Sequence, residues 1–224
     1  MFAQVETVAV LKLKLDLHVH SVYSEDSVNT IDVIVKTLKE QGFQGYAISD
    51  HDTLDGVKEA LDRNSGLVVI PALEVSSKGA HILALEPTEP VKVGLIASET
   101  VDIIHNQGAT AVLAHPFGFP RSWVKMNQIG EAGFDAIEVA NSAQIPYSYI
   151  RDLNKDLADK LSLPYTGGSD SHIPETLGRA FTVVESPSTD VNDIIKSIKK
   201  GHTEVFGKGI TIRERILHKL RKKR

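Results

Sequence analysis

Short apolar runs alternate with amphipathic stretches along most of this chain, and that alternation restricts the architectures open to it. Residues 11–17, 44–49, 67–75, 81–85, 110–114, 136–140, 164–167 and 180–185 read as strands. Helical periodicity occupies 30–41, 54–62, 93–106, 122–132, 147–161 and 191–200, and 210–223 closes the chain as a further helix. Asn29 or Thr30 caps the first helix and Gly42 stops it. This order predicts parallel strands joined by helical crossovers, a barrel-like α/β fold ahead of an open doubly wound sheet. At 224 residues one large domain suffices, drawn over 1–209, with 210–224 as a basic C-terminal helix or tail.

Composition narrows the chemistry. There is no cysteine, so disulfides, thiolate metal sites and cysteine nucleophiles are excluded, and any metal must be held by nitrogen and oxygen. No apolar run approaches the roughly 20 residues of a membrane span, and the first residues lack the pattern of a signal peptide, so a cytoplasmic protein is expected. The net charge of −4 hides an asymmetry. Residues 201–224 hold eight Lys or Arg against Glu204 and Glu214, a net +6 that leaves −10 for the rest. An acidic body suits cations. The basic end either meets a polyanion, nucleic acid included, or is a solvated terminus.

The residues able to bind metal are gathered at strand ends. Asp16, His18 and His20 close the first apolar run, and alternation puts them on one face with Asp16 behind the imidazoles. By itself this His-Val-His is equally a pair of polar residues on a solvated face. Asp50, His51 and Asp52 follow the second strand, Glu74 ends the third, His115 follows 110–114, and Asp170 and His172 follow 164–167. In barrels and open sheets the C-terminal ends of parallel strands carry the site. His81 is the exception, at the start of its strand, which implies an antiparallel or offset strand. With Asp26 the donors are all His, Asp and Glu, a set for Zn²⁺, Mn²⁺ or Fe²⁺ with members enough for two or three ions, and Glu74 has two oxygens to bridge a pair.

In chain order the motifs DLHVHSVYSED (16–26), ISDHDT (48–53), ALEVS (72–76), HILAL (81–85), LAHP (113–116) and GGSDSH (167–172) resemble those of the PHP (polymerase and histidinol phosphatase) family of metal-dependent phosphoesterases. The resemblance implies a distorted (β/α)7 TIM-like barrel with a trinuclear centre. One ion would take His18, His20, Glu74 and Asp170, a second Glu74, His81 and His115, and a third Asp26, His51 and His172, with Glu25 competing for the place of Asp26. Asp16, Asp50 and Asp52 would orient imidazoles through hydrogen bonds.

The reaction so implied is hydrolysis of a phosphomonoester of a nucleotide or other small metabolite by a metal-bridging hydroxide. Arg179 is the expected phosphate contact, Arg121 a weaker one, and Asn141 is placed to bind substrate. Two alternatives stand beside it: an exonuclease of the same family acting on nucleic-acid ends, and a non-catalytic metal-binding module within a larger assembly. Few and scattered aromatic residues offer no stacking platform for single strands.

Overall fold

The computed structural model describes residues 10–118 and 129–221. Its strands and helices follow the order read from the apolar pattern: β1 (Leu11–Val19), α1 (Ile31–Glu40), β2 (Gly45–Ile48), α2 (Asp55–Asp62), β3 (Val68–Ser77), β4 (Ala80–Leu85), α3 (Ala97–Asn106) and β5 (Thr110–Ala114). Then come β6 (Ala136–Asn141), α4 (Tyr147–Leu161), β7 (Tyr165–Gly168), a 3-10 turn (Pro174–Thr176), β8 (Ala180–Ser186), α5 (Val191–Lys199), β9 (Thr203–Gly207) and α6 (Ile212–Arg221). Local chemistry sets the ends. The Thr30 side chain accepts from the Val33 amide to cap α1, and Gly42 turns the chain at φ +72 just beyond it. Most of the helix expected over 122–132 lies outside the described residues.

The nine strands form one sheet in the order β7-β6-β5-β4-β3-β2-β1-β8-β9, curled into a nearly closed barrel with helices outside. β1–β2–β3 and β5–β6–β7 run parallel, as the alternation implied. β4 is antiparallel to both neighbours because only the Lys78-Gly79 turn separates it from β3. That reversal resolves His81: the start of β4 lies beside the C-terminal ends of the parallel strands. β9 is an addition, an edge strand whose short, half-exposed sequence carries little apolar signal.

Beyond the end of its pairing with β8, β1 is joined instead by the chain following β7. The Asp170 amide donates to the His18 carbonyl (2.8 Å) and the His20 amide to the Ser171 carbonyl (3.1 Å), which seals the barrel at this end. Leu13, Leu15, Ile70, Ala72, Leu83, Val112 and Ala136 share one apolar cluster with Ile194, Ile195 and Ile198 of α5. α5 leaves from the end of β8, where Ser186 pairs Leu11, so isoleucines fill the N-terminal end and polar residues hold the other. A second apolar layer packs α3 and α4 on the sheet's outer face, through Val101, Ile104 and Leu157 among others. Among the described residues no helix is long and apolar enough to cross a membrane.

The ladder between β1 and β2 slips between Asp16 and Val19, three residues advancing against two. Asp16 and Val19 both pair with residues of the helix-covered layer, Tyr46 and Ile48, so Asp16 lies on the opposite face from His18 and His20. The expectation of Asp16 behind the imidazoles is therefore corrected. Its carboxylate, fully buried, accepts from the amides of Ser169 (2.8 Å), Gly178 (3.0 Å) and His18 (3.3 Å) and ties β1 to the chain after β7. Burial pushes its pKa up to about 6 against those amides.

The seam admits no side chain at Gly168, where a Cβ would stand 2.4 Å from the His18 Cβ and 2.5 Å from its nitrogen. Gly168→Ala should cost about 2 kcal/mol through backbone displacement, lowering Tm by about 4–8 °C. Gly130→Ala, which meets nothing within 4 Å, should leave Tm unchanged, and thermal melting of both variants checks the pair.

Candidate metal centre

Five imidazoles converge on one buried carboxylate. Glu74, 1% exposed near the end of β3, has Oε1 2.8 Å from His81 Nδ1 and 2.9 Å from His115 Nε2. Its Oε2 lies 3.1 Å from His51 Nδ1, 3.3 Å from His20 Nε2 and 3.4 Å from His18 Nε2. These histidines come from β1, the chain after β2, β4 and the end of β5, so the barrel rim supplies what no local segment could.

Asp170 extends the group, with Oδ1 3.3 Å from His20 Nε2 and 3.7 Å from His18 Nε2, while the two Nε2 atoms are 3.0 Å apart. At the outer edge Asp26 Oδ1 lies 3.2 Å from His172 Nε2 and 3.6 Å from His51 Nε2. Glu25 is exposed, so Asp26 is the carboxylate facing the cluster. His115 and Asp170 in the cluster, and Asp52 beside His51 in the chain, hold positive φ (29, 52 and 57), backbone strain of the kind that rigid surroundings maintain at functional sites.

The separations bear on whether ions would fit. Donors sharing one divalent ion at bonds of about 2.1 Å sit about 3–3.4 Å apart. The His18, His20, Glu74 and Asp170 atoms approach that spacing at 3.0 to 3.7 Å. Looser groups are formed by His20, His51 and His172, by Glu74, His81 and His115, and by His18, His115 and Glu138, each with its ligand atoms within 4.8 Å of one another. The all-nitrogen-and-oxygen donor set matches borderline divalent cations.

Several supporting residues differ from the sequence reading. Asp50 reaches an imidazole only through Ser24, whose hydroxyl donates to Asp50 Oδ1 (2.7 Å) and lies 3.2 Å from His20 Nδ1. Asp52 accepts from the Ser76 amide (2.7 Å) and touches no ring, a correction to its expected role. Asn141 is buried, and its side-chain nitrogen donates to Glu138 Oε2 (3.0 Å) and Asp170 Oδ2 (3.2 Å). It holds two carboxylates together instead of facing substrate. Arg179, expected at phosphate, is ion-paired with Glu214 of α6. Arg121 lies outside the described residues.

Glu138 was missed. Buried in β6, it places Oε1 2.9 Å from His18 Nδ1 and accepts the His115 amide on Oε2 (3.0 Å), so it aims the other nitrogen of His18 at the cluster. A lone carboxylate inside the apolar run Ala136-Ile137-Glu138-Val139-Ala140 was the available signal.

The charges reinforce one another. Burial alone would depress the His18 imidazole, yet Glu138, Asp170 and Glu74 carry it well above the usual histidine value. Against the same effect of burial, Glu74 raises His51 and His115. Burial opposes ionisation of Glu74 and Asp170, and the His18 charge holds both well below the usual carboxylate range.

The last helix completes the site. α6 lies across the mouth, where Arg215 Nη2 donates to the Ala143 carbonyl (2.7 Å), Arg221 pairs with both oxygens of Glu175 (2.7 Å each), and the His218 ring sits 5.1 Å from that of His172. A cavity of about 450 Å³ opens between the cluster and this helix. The basic end, read from sequence as a polyanion contact or a solvated terminus, packs on the barrel through residue 221, and its Ile210, Arg215, His218 and Lys219 line the cavity.

Metal binding to imidazoles that hold protons must release them, so affinity is lost as pH falls. With His18, His51 and His115 all raised, Zn²⁺ affinity at pH 5.5 should lie at least about tenfold below that at pH 7.5. Calorimetry in buffers of different ionisation enthalpy checks this, and a pH-independent affinity would exclude these rings as ligands.

Comparison with known proteins places the chain. The family model described as PHP-associated matches residues 151–203. An uncharacterized protein of Methanocaldococcus jannaschii is 31% identical over 142 residues, spanning 58% of this chain and 82% of that protein. Among solved structures, a two-domain protein containing a predicted PHP-like metal-dependent phosphoesterase from Bacteroides vulgatus ATCC 8482 superposes with TM-score 0.75 at 18% identity, covering 95% of this chain and 70% of the other. The lesion-specific endonuclease of Pyrococcus furiosus gives TM-score 0.70 at 23% identity, over 87% of this chain and 58% of the enzyme. At these identities the two structures speak for the fold.

Proposed function

The chain belongs to the PHP family, and from that premise we propose that it hydrolyses a phosphomonoester of a small metabolite, such as a nucleotide, at a cluster of two or three divalent ions. One observation carries the reading: the two oxygens of Glu74, each within 3.4 Å of imidazoles from different strands. His18, His20, Glu74 and Asp170 would hold one ion, Glu74, His81 and His115 a second, and Asp26, His51 and His172 a third. Mn²⁺, Zn²⁺ and Fe²⁺ suit these donors. Bound there, such ions make water a competent nucleophile near neutral pH and offset charge gathering on phosphoryl oxygens.

The protein's own contribution is positioning. Glu138 fixes the His18 ring, Asp50 fixes His20 through Ser24, and Asn141 keeps Asp170 and Glu138 in register. None of these donors has to reorganise when the phosphoryl group arrives, which is where electrostatic catalysis gains most. A second reading, a nuclease acting on nucleic-acid ends, is favoured by the exposed Lys208, Arg213 and Lys219 of the C-terminal segment, the last of them at the cavity. Steep loss of polymer affinity with rising salt would distinguish it.

Protein purified without chelator should carry two or three equivalents of metal by elemental analysis and turn over p-nitrophenyl phosphate in a chelator-sensitive way. An absence of metal even after Mn²⁺ is supplied would overturn the reading. Glu74→Gln should empty two sites together and lower turnover by about 100-fold or more. Loss of a single equivalent would contradict the bridging role.

A further inference from the structure

α6 divides its charged residues between two tasks. Glu214 binds Arg179 and Arg221 binds Glu175, and these pairs fasten the helix to the barrel. Arg215 and Lys219, one turn apart, line the cavity with the cluster residues and make no ion pair with any described residue. Arg215 is partly buried, and its guanidinium, lowered by that burial, has only carbonyl oxygens as partners: Ala143 at 2.7 Å and Gln144 at 3.4 Å, both through Nη2. Removing an arginine from water without a carboxylate is costly, and Nη1 and Nε keep their donors for something else. The same cavity is also lined by Ile145, Ile173 and Ile210, apolar surface suited to a carbon skeleton.

We infer that Arg215 and Lys219 form a second anion subsite, so that the ester bound here carries a further phosphate besides the one at the metal cluster. This rests on the phosphoester reading and deepens it. The phosphate to be hydrolysed lies at the imidazole–carboxylate end, the second is gripped by the Arg215 fork with Lys219 as an added charge, and the intervening carbons lie along the isoleucines. At about 450 Å³ the cavity matches a small bisphosphate.

The test uses the metal-loaded full chain and alkanediol bisphosphates of three to six carbons, each against the alkyl monophosphate of the same length. Binding is read by calorimetry and hydrolysis by phosphate release. The wild type should bind the best bisphosphate at least tenfold more tightly than its monophosphate. Arg215→Gln should collapse that ratio toward one, Arg215→Lys should restore part of it, and Arg151→Ala, at an exposed arginine paired with Asp152, should leave it unchanged. Equal affinities in the wild type, or a ratio that survives Arg215→Gln in protein of normal Tm, would overturn the subsite. Binding without hydrolysis of any probe would leave the subsite standing and sink the phosphoesterase reading instead.

Discussion

The structure depends on keeping one carboxylate, Glu74, charged in the barrel interior. An ionised group so buried survives only if its surroundings compensate it, and here five imidazoles do so from four directions. Each of those rings needs its own far side settled. Glu138 does this for His18, Ser24 and Asp50 for His20, and Asp26 for His51. The result is a nested polar network above an apolar floor, in which His18 is held between Glu74 and Glu138 and His51 between Glu74 and Asp26.

Position along the barrel axis explains how such a network is tolerated. The same strands that end in His and Asp begin in Leu, Ile and Ala, and α5 closes their far end with isoleucines. Hydrophobic burial at one end supplies the stability that the polar end consumes.

Much of this was legible in the chain. Alternating apolar runs gave the element order, and histidines and acids following successive runs pointed to one rim. What alternation could not reveal was a register slip. A bulge between Asp16 and Val19 reverses the face of everything before it, and nothing in LDLHV announces one. Glu138 escaped because a carboxylate inside an apolar strand resembles an interruption until its partners are known. The C-terminal helix escaped for a different reason: its basic residues look alike in sequence, and only packing separates Arg221, which fastens, from Arg215, which faces the cavity. Arg179 and Asn141 had the right address and the wrong partners.

The seam between β1 and the chain after β7 has a consequence for how the molecule is assembled. Its two sealing hydrogen bonds are donated by the amides of Asp170 and His20, whose side chains belong to the cluster. A barrel left ajar at this joint would displace His18, His20 and Asp170 together, while Glu74, His81 and His115, held by the pairing of β3, β4 and β5, would stay in place. His18, His20 and Asp170, the donors assigned to the first ion beside Glu74, are therefore gathered or lost as a unit, and exchange of those two amides with solvent would time the opening of that part of the site.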